Sequence, residues 1–402
     1  MECVGSRLMK EFKNPAIVLG GGTTTGLGAI RCLGRSGVEV YYLGEDKEIA
    51  VYSKYCKKYF ILPRISHDKS ELAKALLKIR DQTRDTPVLF PSSDSYALNL
   101  SDLIEKLNGY HLPAPKSDVI EILINKRKFY QSLVKYKIPH PTTRFPENLE
   151  DLTKTAKQMS YPVFIKPSIS HAFVKHYHRK GFLAHSQREL LRYWTSIKKT
   201  GFDVLVQEIV PGPPASHAFL DGYCDKHSNP KALFARRRLR MWPLAFGNSS
   251  LCTSIPVSEI APLKETLFRY LRSINYHGIF SAEFKRDERD GVFKLLEINS
   301  RTSAWFNTLS AKCGVNLMLI AYLDAIGETT EYTEEYEANV KWVFLTADLR
   351  ASIKLYLNGD MTLRKWISSL QGKKDYLSYA KDDLRPFITN LLHTISEMVH
   401  AH

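Results

Sequence analysis

No window of the 402-residue chain approaches the roughly 20 uncharged apolar residues that a membrane-spanning helix needs. The N-terminal stretch MECVGSRLMKEFK also lacks the apolar centre of a signal peptide. A cytoplasmic location with no membrane partner is expected. Cysteine is sparse: Cys3, Cys32, Cys56, Cys224, Cys252 and Cys313 stand apart without a C-x-x-C pair, which argues against both a disulfide framework and a zinc site. There is no low-complexity tract and no internal repeat. With 44% hydrophobic and 25% charged residues, the composition is that of an ordinary globular chain, long enough for two or three structural units.

Positive charge is what the chain has in excess. A formal net charge of +15 predicts attraction to anions: nucleic acid, anionic lipid, or a small phosphate- and carboxylate-bearing substrate.

Strands and helices alternate from Pro15 onward. PAIVLGGGTTTGLG reads as a strand entering a glycine-rich turn, AIRCLGRSG as a helix and VEVYYLG as a second strand. SELAKALLKIRDQT, PVLFPSSD and DSYALNLSDLIEKL continue the alternation. The fold class expected is therefore α/β, with a doubly wound parallel sheet as an N-terminal domain over residues 1–113. LPAPKSD marks a break, after which helices run to Ile138. Two further strands follow, YPVFIKPSIS with Lys166 near its end and DVLVQEIVPGPP, with the helix ELLRYWTSIKK between them.

The chemistry concentrates in IFSAEFKRDERDGVFKLLEINSR, two alternating strands joined across Arg289-Asp290-Gly291 as a three-residue hairpin. Glu283 and Glu297 are equidistant from Asp290, so a loop centred there sets them opposite one another. Like charges so close call for a proton or a cation between them. Asn299 adds a neutral oxygen, and an all-oxygen set suits Mg²⁺ or Mn²⁺. The bland alternative is a solvated hairpin whose acids pair with Lys285 and Lys294.

Four segments, NK at 125–126, FIKP at 164–167, VQEIVPG at 206–212 and EFKRD…LLEINSR, together resemble the ATP-grasp superfamily over roughly residues 15–330. SHAFVKHYHRKGFLA, RRRLRMWPLAFG and the AEFKRD…EINSR ending are similar to its carboxylate-amine ligases, the group that includes D-aspartate ligase and carbamoyl-phosphate-synthase-like enzymes. The resemblance implies an ATP-grasp domain over 114–330, with a mobile lid subdomain near 160–212, and a C-terminal extension at 331–402. It implies that Lys126 and Lys166 contact ATP phosphates, that Gln207, Glu208, Ile209 and Val210 form a hinge reading adenine through backbone groups, and that Glu283, Glu297 and Asn299 hold magnesium. The usual glycine-rich phosphate-covering loop is replaced by SISHAFVKHYHRKG, where Lys180 and His171 are the candidates for its work. No acid follows the hinge to hold the ribose, and Asp221 is the one substitute at hand. Arg240 and Arg301 are candidates for binding a carboxylate or acyl phosphate, since a guanidinium fork does so in bidentate fashion. Arg236, Arg237 and Arg238 read as a solvated basic face. Gly22, Thr23, Ser93 and Asp94, on the N-terminal turns, are candidates for substrate binding.

The activity implied is ATP-dependent joining of a carboxylate to an amine through an acyl phosphate. The partners expected are small molecules, with a second copy of the chain as an option. One rival is an NAD(P)-dependent reductase, suggested by Gly22-x-x-x-Gly26-x-Gly28 with Glu45 or Asp46 at the ribose-reading distance. None of the 21 tyrosines is followed four residues on by the lysine such reductases need. A non-enzymatic nucleic-acid binder is the other rival, suggested by charge and by KHYHRKGF, without a recognised binding motif.

Overall fold

The computed structural model describes residues 12–21, 24–66, 68–302 and 304–400, apart from the side chains of residues 171, 304–306, 394–395 and 397–400. Two compact units make up the chain. One comprises Met1–Ser117, Phe219–Ser281 and Ser300–His402, the other Asp118–Ala218 and Ala282–Asn299.

The first unit opens with a four-stranded parallel sheet in the order Cys56–Ile61, Val40–Gly44, Ala16–Leu19, Val88–Pro91. Strand alternation explains why both faces are buried. Ala16 and Val18 join a cluster with Leu27 and Ile30 of helix Thr25–Gly34, whereas Ile17 and Leu19 join another with Leu72 and Leu76 of helix Lys69–Arg80. This is the doubly wound α/β arrangement the sequence predicts. The strand Cys56–Ile61 has no counterpart in the sequence reading, because Lys57, Lys58 and Tyr59 of this edge strand are exposed and break the apolar pattern. Gly21 closes the first strand where a Cβ would come within 2.6 Å of the Ser92 carbonyl, so only glycine permits that approach.

A further set of paired strands lying wholly in this unit is, in spatial order, Pro230–Trp242, Asn248–Ile255, Lys341–Val343 and Lys374–Tyr376. The arginines of Pro230–Trp242 overturn the expected solvated face. Arg236 is buried, with Nε donating to Asp221 at 2.7 Å and the guanidinium 3.8 Å over the Phe219 ring. Arg238 is buried too, its Nε donating to Ser249 Oγ at 2.9 Å. A long aliphatic stem lets an arginine sit in a core when its head finds a partner. Arg237 alone stays at the surface, paired with Glu259 at 3.1 Å. Residues beyond 330 are integral to the unit. Lys341–Val343 pairs antiparallel with Asn248–Ile255 and parallel with Lys374–Tyr376, and a buried ion pair joins Arg31 to Asp383 at 3.0 Å.

The second unit holds an antiparallel sheet ordered Thr143–Arg144, Val204–Glu208, Val163–Pro167, Phe182–Ala184. Helices Leu149–Gln158 and Gln187–Lys198 cover one face, each started by a side-chain cap, Asn148 and Ser186. SHAFVKHY, read from sequence as part of a loop, is instead the helix Ser170–Tyr177. Its register is set by Phe173, fully buried and 4.6 Å from the Tyr177 ring one turn later and 5.3 Å from Phe202.

Candidate active site

The sheet of the second unit separates a core face from a chemical face. Val163 and Ile165 point into the core with Val204 and Val206, so the period of two sends Phe164 and Lys166 the other way. Pairing Phe164 with Gln207 and Lys166 with Leu205 places Gln207 beside Lys166 on that face.

Lys166 is the centre of the site. Its Nζ donates to Tyr130 Oη at 3.2 Å and stands 5.0 Å over the same ring. Burial pushes its ammonium down to about 8, against the opposing field of Glu297 and Glu283. The same two carboxylates act on the Tyr130 hydroxyl, which burial pushes well up. Both acids thus act on the same two side chains. Tyr130, 1% exposed, also donates to the Leu296 carbonyl at 2.8 Å and lies 3.5 Å from Gln207 Oε1. It therefore ties its own helix, Lys126–Lys135, to the lysine strand, the hinge strand and the strand of Glu297. Lys126, which opens that helix, donates from Nζ to Ser170 Oγ at 2.7 Å, while its N–H reaches the Ser168 carbonyl at 2.9 Å. Lys180 is exposed after the helix Ser170–Tyr177.

The hairpin closes differently from expectation. Asp287 N–H donates to the Val292 carbonyl at 2.9 Å and Gly291 N–H to the Asp287 carbonyl at 2.8 Å, so four residues, Glu288–Gly291, span the turn instead of three. The Asp287 carboxylate dictates this shape. It is fully buried, accepts from Arg289 N–H at 3.0 Å, and is held well below the usual carboxylate range by the Arg289 guanidinium. Gly291, with φ of +72°, supplies the left-handed residue the turn requires. Lys294 goes to Asp287 at 2.6 Å and to Glu208 at 3.1 Å instead of to the pair of acids. Glu283 accepts from His217 Nδ1 at 2.7 Å, and Glu297 accepts from Asn299 Nδ2 at 3.3 Å.

Of the four hinge residues, Gln207 and Glu208 close a strand paired on both sides. Glu208 N–H is given to the Thr142 carbonyl at 3.0 Å. Burial alone would raise the Glu208 carboxyl, but Thr142 N–H, Arg289 and Lys294 hold it below the usual range. Ile209 and Val210 lie beyond the strand end, where backbone groups are not committed to the ladder.

Other sequence candidates lie in the first unit. Arg301 Nε donates to Asp94 Oδ1 at 2.7 Å, joining two of them, and Ser93 caps its own helix by accepting from Tyr96 N–H at 3.3 Å. Arg240 is corrected: the fork expected to receive a substrate carboxylate is already filled. Its Nε and Nη2 grip both oxygens of buried Asp348 at 2.8 and 2.9 Å, and Nη1 donates to Ser369 at 2.7 Å. Asp221, the stand-in ribose acid, is fully buried on Arg236 and Ser281. Gly22 and Thr23 lie outside the described residues, as does the His171 side chain. Sequence reasoning missed Tyr130, His217 and Asp287. Only Tyr130 left a signal, since it follows Lys126 at the helical spacing of four.

Among the described residues no group of three or more His, Cys, Asp or Glu is arranged to hold a metal, and no helix is long and apolar enough to cross a membrane.

No family model matches the chain. By sequence it is similar to the D-aspartate ligase of Enterococcus faecium (strain Aus0004), 25% identical over 272 residues, covering 64% of each chain. It is also similar to the carbamoyl phosphate synthase large chain of Saccharolobus islandicus (strain L.S.2.15 / Lassen #1), 24% identical over 238 residues, 57% of this chain and 21% of that one. The chain thus spans less than two thirds of the length of these relatives. Among solved structures, the biotin carboxylase domain dimer of Hydrogenobacter thermophilus 2-oxoglutarate carboxylase, in complex with MgADP, ADP and bicarbonate, superposes with a TM-score of 0.65 at 17% identity over 83% of this chain and 74% of that one. N5-carboxyaminoimidazole synthetase from Staphylococcus aureus, complexed with ADP, gives a TM-score of 0.64 at 16% identity over 81% and 80%. With these neighbours, a doubly wound sheet in one unit and a lysine-bearing antiparallel sheet beside an acidic hairpin in the other, the chain has the ATP-grasp fold.

Proposed function

We propose that this chain is an ATP-dependent ligase that phosphorylates a small carboxylate and passes the acyl group to an amine. The observation that carries the reading is a half-buried Lys166 in the field of Glu283 and Glu297, on the polar face of a sheet whose other face is core. The similarity to D-aspartate ligase supports it.

A carboxylate oxygen attacks the γ-phosphorus and ADP leaves. The amine nitrogen then attacks the acyl carbon, the amide bond forms, phosphate leaves and the nitrogen loses a proton. Lys126 and Lys166 offset phosphate charge as flexible point cations. The backbone of Ile209 and Val210 receives adenine. Glu283, Glu297 and Asn299 offer only oxygens to a cation, and two carboxylates completed by substrate phosphates form the usual arrangement for Mg²⁺. Bound Mg²⁺ would supply charge neutralisation across the phosphates. His217 holds Glu283 in place, and Tyr130 holds Lys166. Arg301, already drawn to Asp94, remains the candidate for the substrate carboxylate.

ADP release with paired panels of carboxylates and amines tests this. Release that needs both substrates, with hydroxylamine trapping a hydroxamate when the amine is omitted, is the expected result. Absence of any nucleotide binding would overturn the reading. Lys166 adds a pH signature. It is cationic below about 8 and loses its charge as pH rises through that value, so ATP affinity should weaken above pH 8 and binding there should take up a proton. Calorimetry in buffers of different ionisation enthalpy reads this uptake. Lys166→Met should abolish both effects, and an unchanged profile in that variant would remove Lys166 from the site.

A further inference from the structure

The helix Leu345–Leu357 turns Asp348, Ala351 and Ser352 inward. On its other side Leu345, Leu349, Ile353, Tyr356 and Leu357 are exposed, by 42% at Leu349 up to 73% at Leu357. At the helical period these five fall in one arc about 120° wide. Exposed Arg350 and Lys354 follow directly along one edge of that arc. The next helix, Leu363–Ser369, is tied to the first by Trp366 Nε1 donating to Asp348 Oδ2 at 3.0 Å. It adds exposed Leu363 and Ile367 one turn apart, with Arg364 and Lys365 between them. From 345 to 374 the only exposed acid among the described residues is Asp360.

Scattered apolar side chains at a surface need no explanation, but a stripe of five along one helix, with two more on the helix tied to it, does. A second copy of the chain is a poor occupant. An isologous contact brings the same basic edge to face itself, on a chain whose net charge is already +15. An apolar stripe with an interfacial tyrosine and flanking Lys and Arg matches an anionic bilayer surface, where long basic side chains reach headgroup phosphates while their stems lie along the acyl boundary. From the apolar stripe and its basic edge we infer, against the sequence expectation of no membrane partner, that Leu345–Ser369 docks this chain peripherally on anionic phospholipid. The excess charge noted in the sequence then has a use beyond the nucleotide site, and the docking does not depend on the ligase reading.

Co-sedimentation of the full chain with vesicles is the test, comparing phosphatidylcholine alone with phosphatidylcholine–phosphatidylglycerol mixtures. Binding is expected only with the anionic mixture and should fall with added salt. The double substitution Leu349→Asp, Ile353→Asp should weaken it at least about tenfold, and Arg350→Glu with Lys354→Glu should do the same. All four sites are exposed, so circular dichroism and ADP release should match the parent chain. No binding to anionic vesicles, or binding that the Leu349→Asp, Ile353→Asp variant retains, overturns the proposal. So does a dimer in light scattering that this variant splits in the absence of vesicle binding, which would make a second copy the occupant.

Discussion

Glu297→Ala is expected to lower ATP-dependent turnover by about a thousandfold or more, equivalent to roughly 4 kcal/mol of transition-state stabilisation. The size follows from the role. Phosphoryl transfer gives the protein little covalent work, so rate depends on neutralising and positioning the phosphates. Glu297 is exposed and accepts from Asn299, so its loss removes a proposed cation ligand without opening the core. Urea unfolding of the variant should therefore match that of the parent chain. Glu283→Gln should be as inactive, because an amide keeps a hydrogen-bonding oxygen for His217 but surrenders the charge. Turnover near the parent level in either variant, measured as ADP release at saturating Mg²⁺, would remove these residues from the metal site.

The largest effect on stability is expected at a residue with no part in the proposed chemistry. Asp348 is fully buried and accepts from Arg240 twice, from Trp366 and from Ser250. Asp348→Ala strands the Arg240 guanidinium in the interior and should cost about 3–5 kcal/mol. Removing both charges is a different matter. Arg240→Met combined with Asp348→Leu replaces the pair with apolar volume and should recover most of the loss, because no unpaired charge remains. Chemical denaturation of the single and double variants measures the difference. If Asp348→Ala unfolds like the parent, the pair is not what anchors helix Leu345–Leu357. Arg240→Lys should also be poorly tolerated, since an ammonium cannot grip both carboxylate oxygens.

The apolar strands were legible because burial writes a pattern. AIVL and VLFP are buried on both faces and read as continuous apolar runs, while VFIKP alternates because one face is core and the other carries Lys166. The hairpin was legible for the same reason. Its turn was not, since a buried Asp287 that reshapes the loop looks in sequence like any polar turn residue. The arginines of RRRLR misled for a related reason: a run of charges reads as solvated unless the partner acids are known. Asp221, near in sequence, and Asp348, over a hundred residues away, are found only when strands and helices are packed.

What the sequence determined by itself was the set of groups on which the proposed chemistry rests: two lysines, two glutamates and an asparagine in a recognisable order, set on elements whose periodicity is local. Only the tertiary structure decided which charges are available for it. Arg240 and Asp221 were withdrawn into buried pairs, Glu208 was locked by Arg289 and Lys294, and Tyr130 and His217 were brought against Lys166 and Glu283. Periodicity depends on neighbours a few residues apart, whereas the fate of a charge depends on partners that sequence distance does not reveal. The low dielectric of the interior makes those partners decisive.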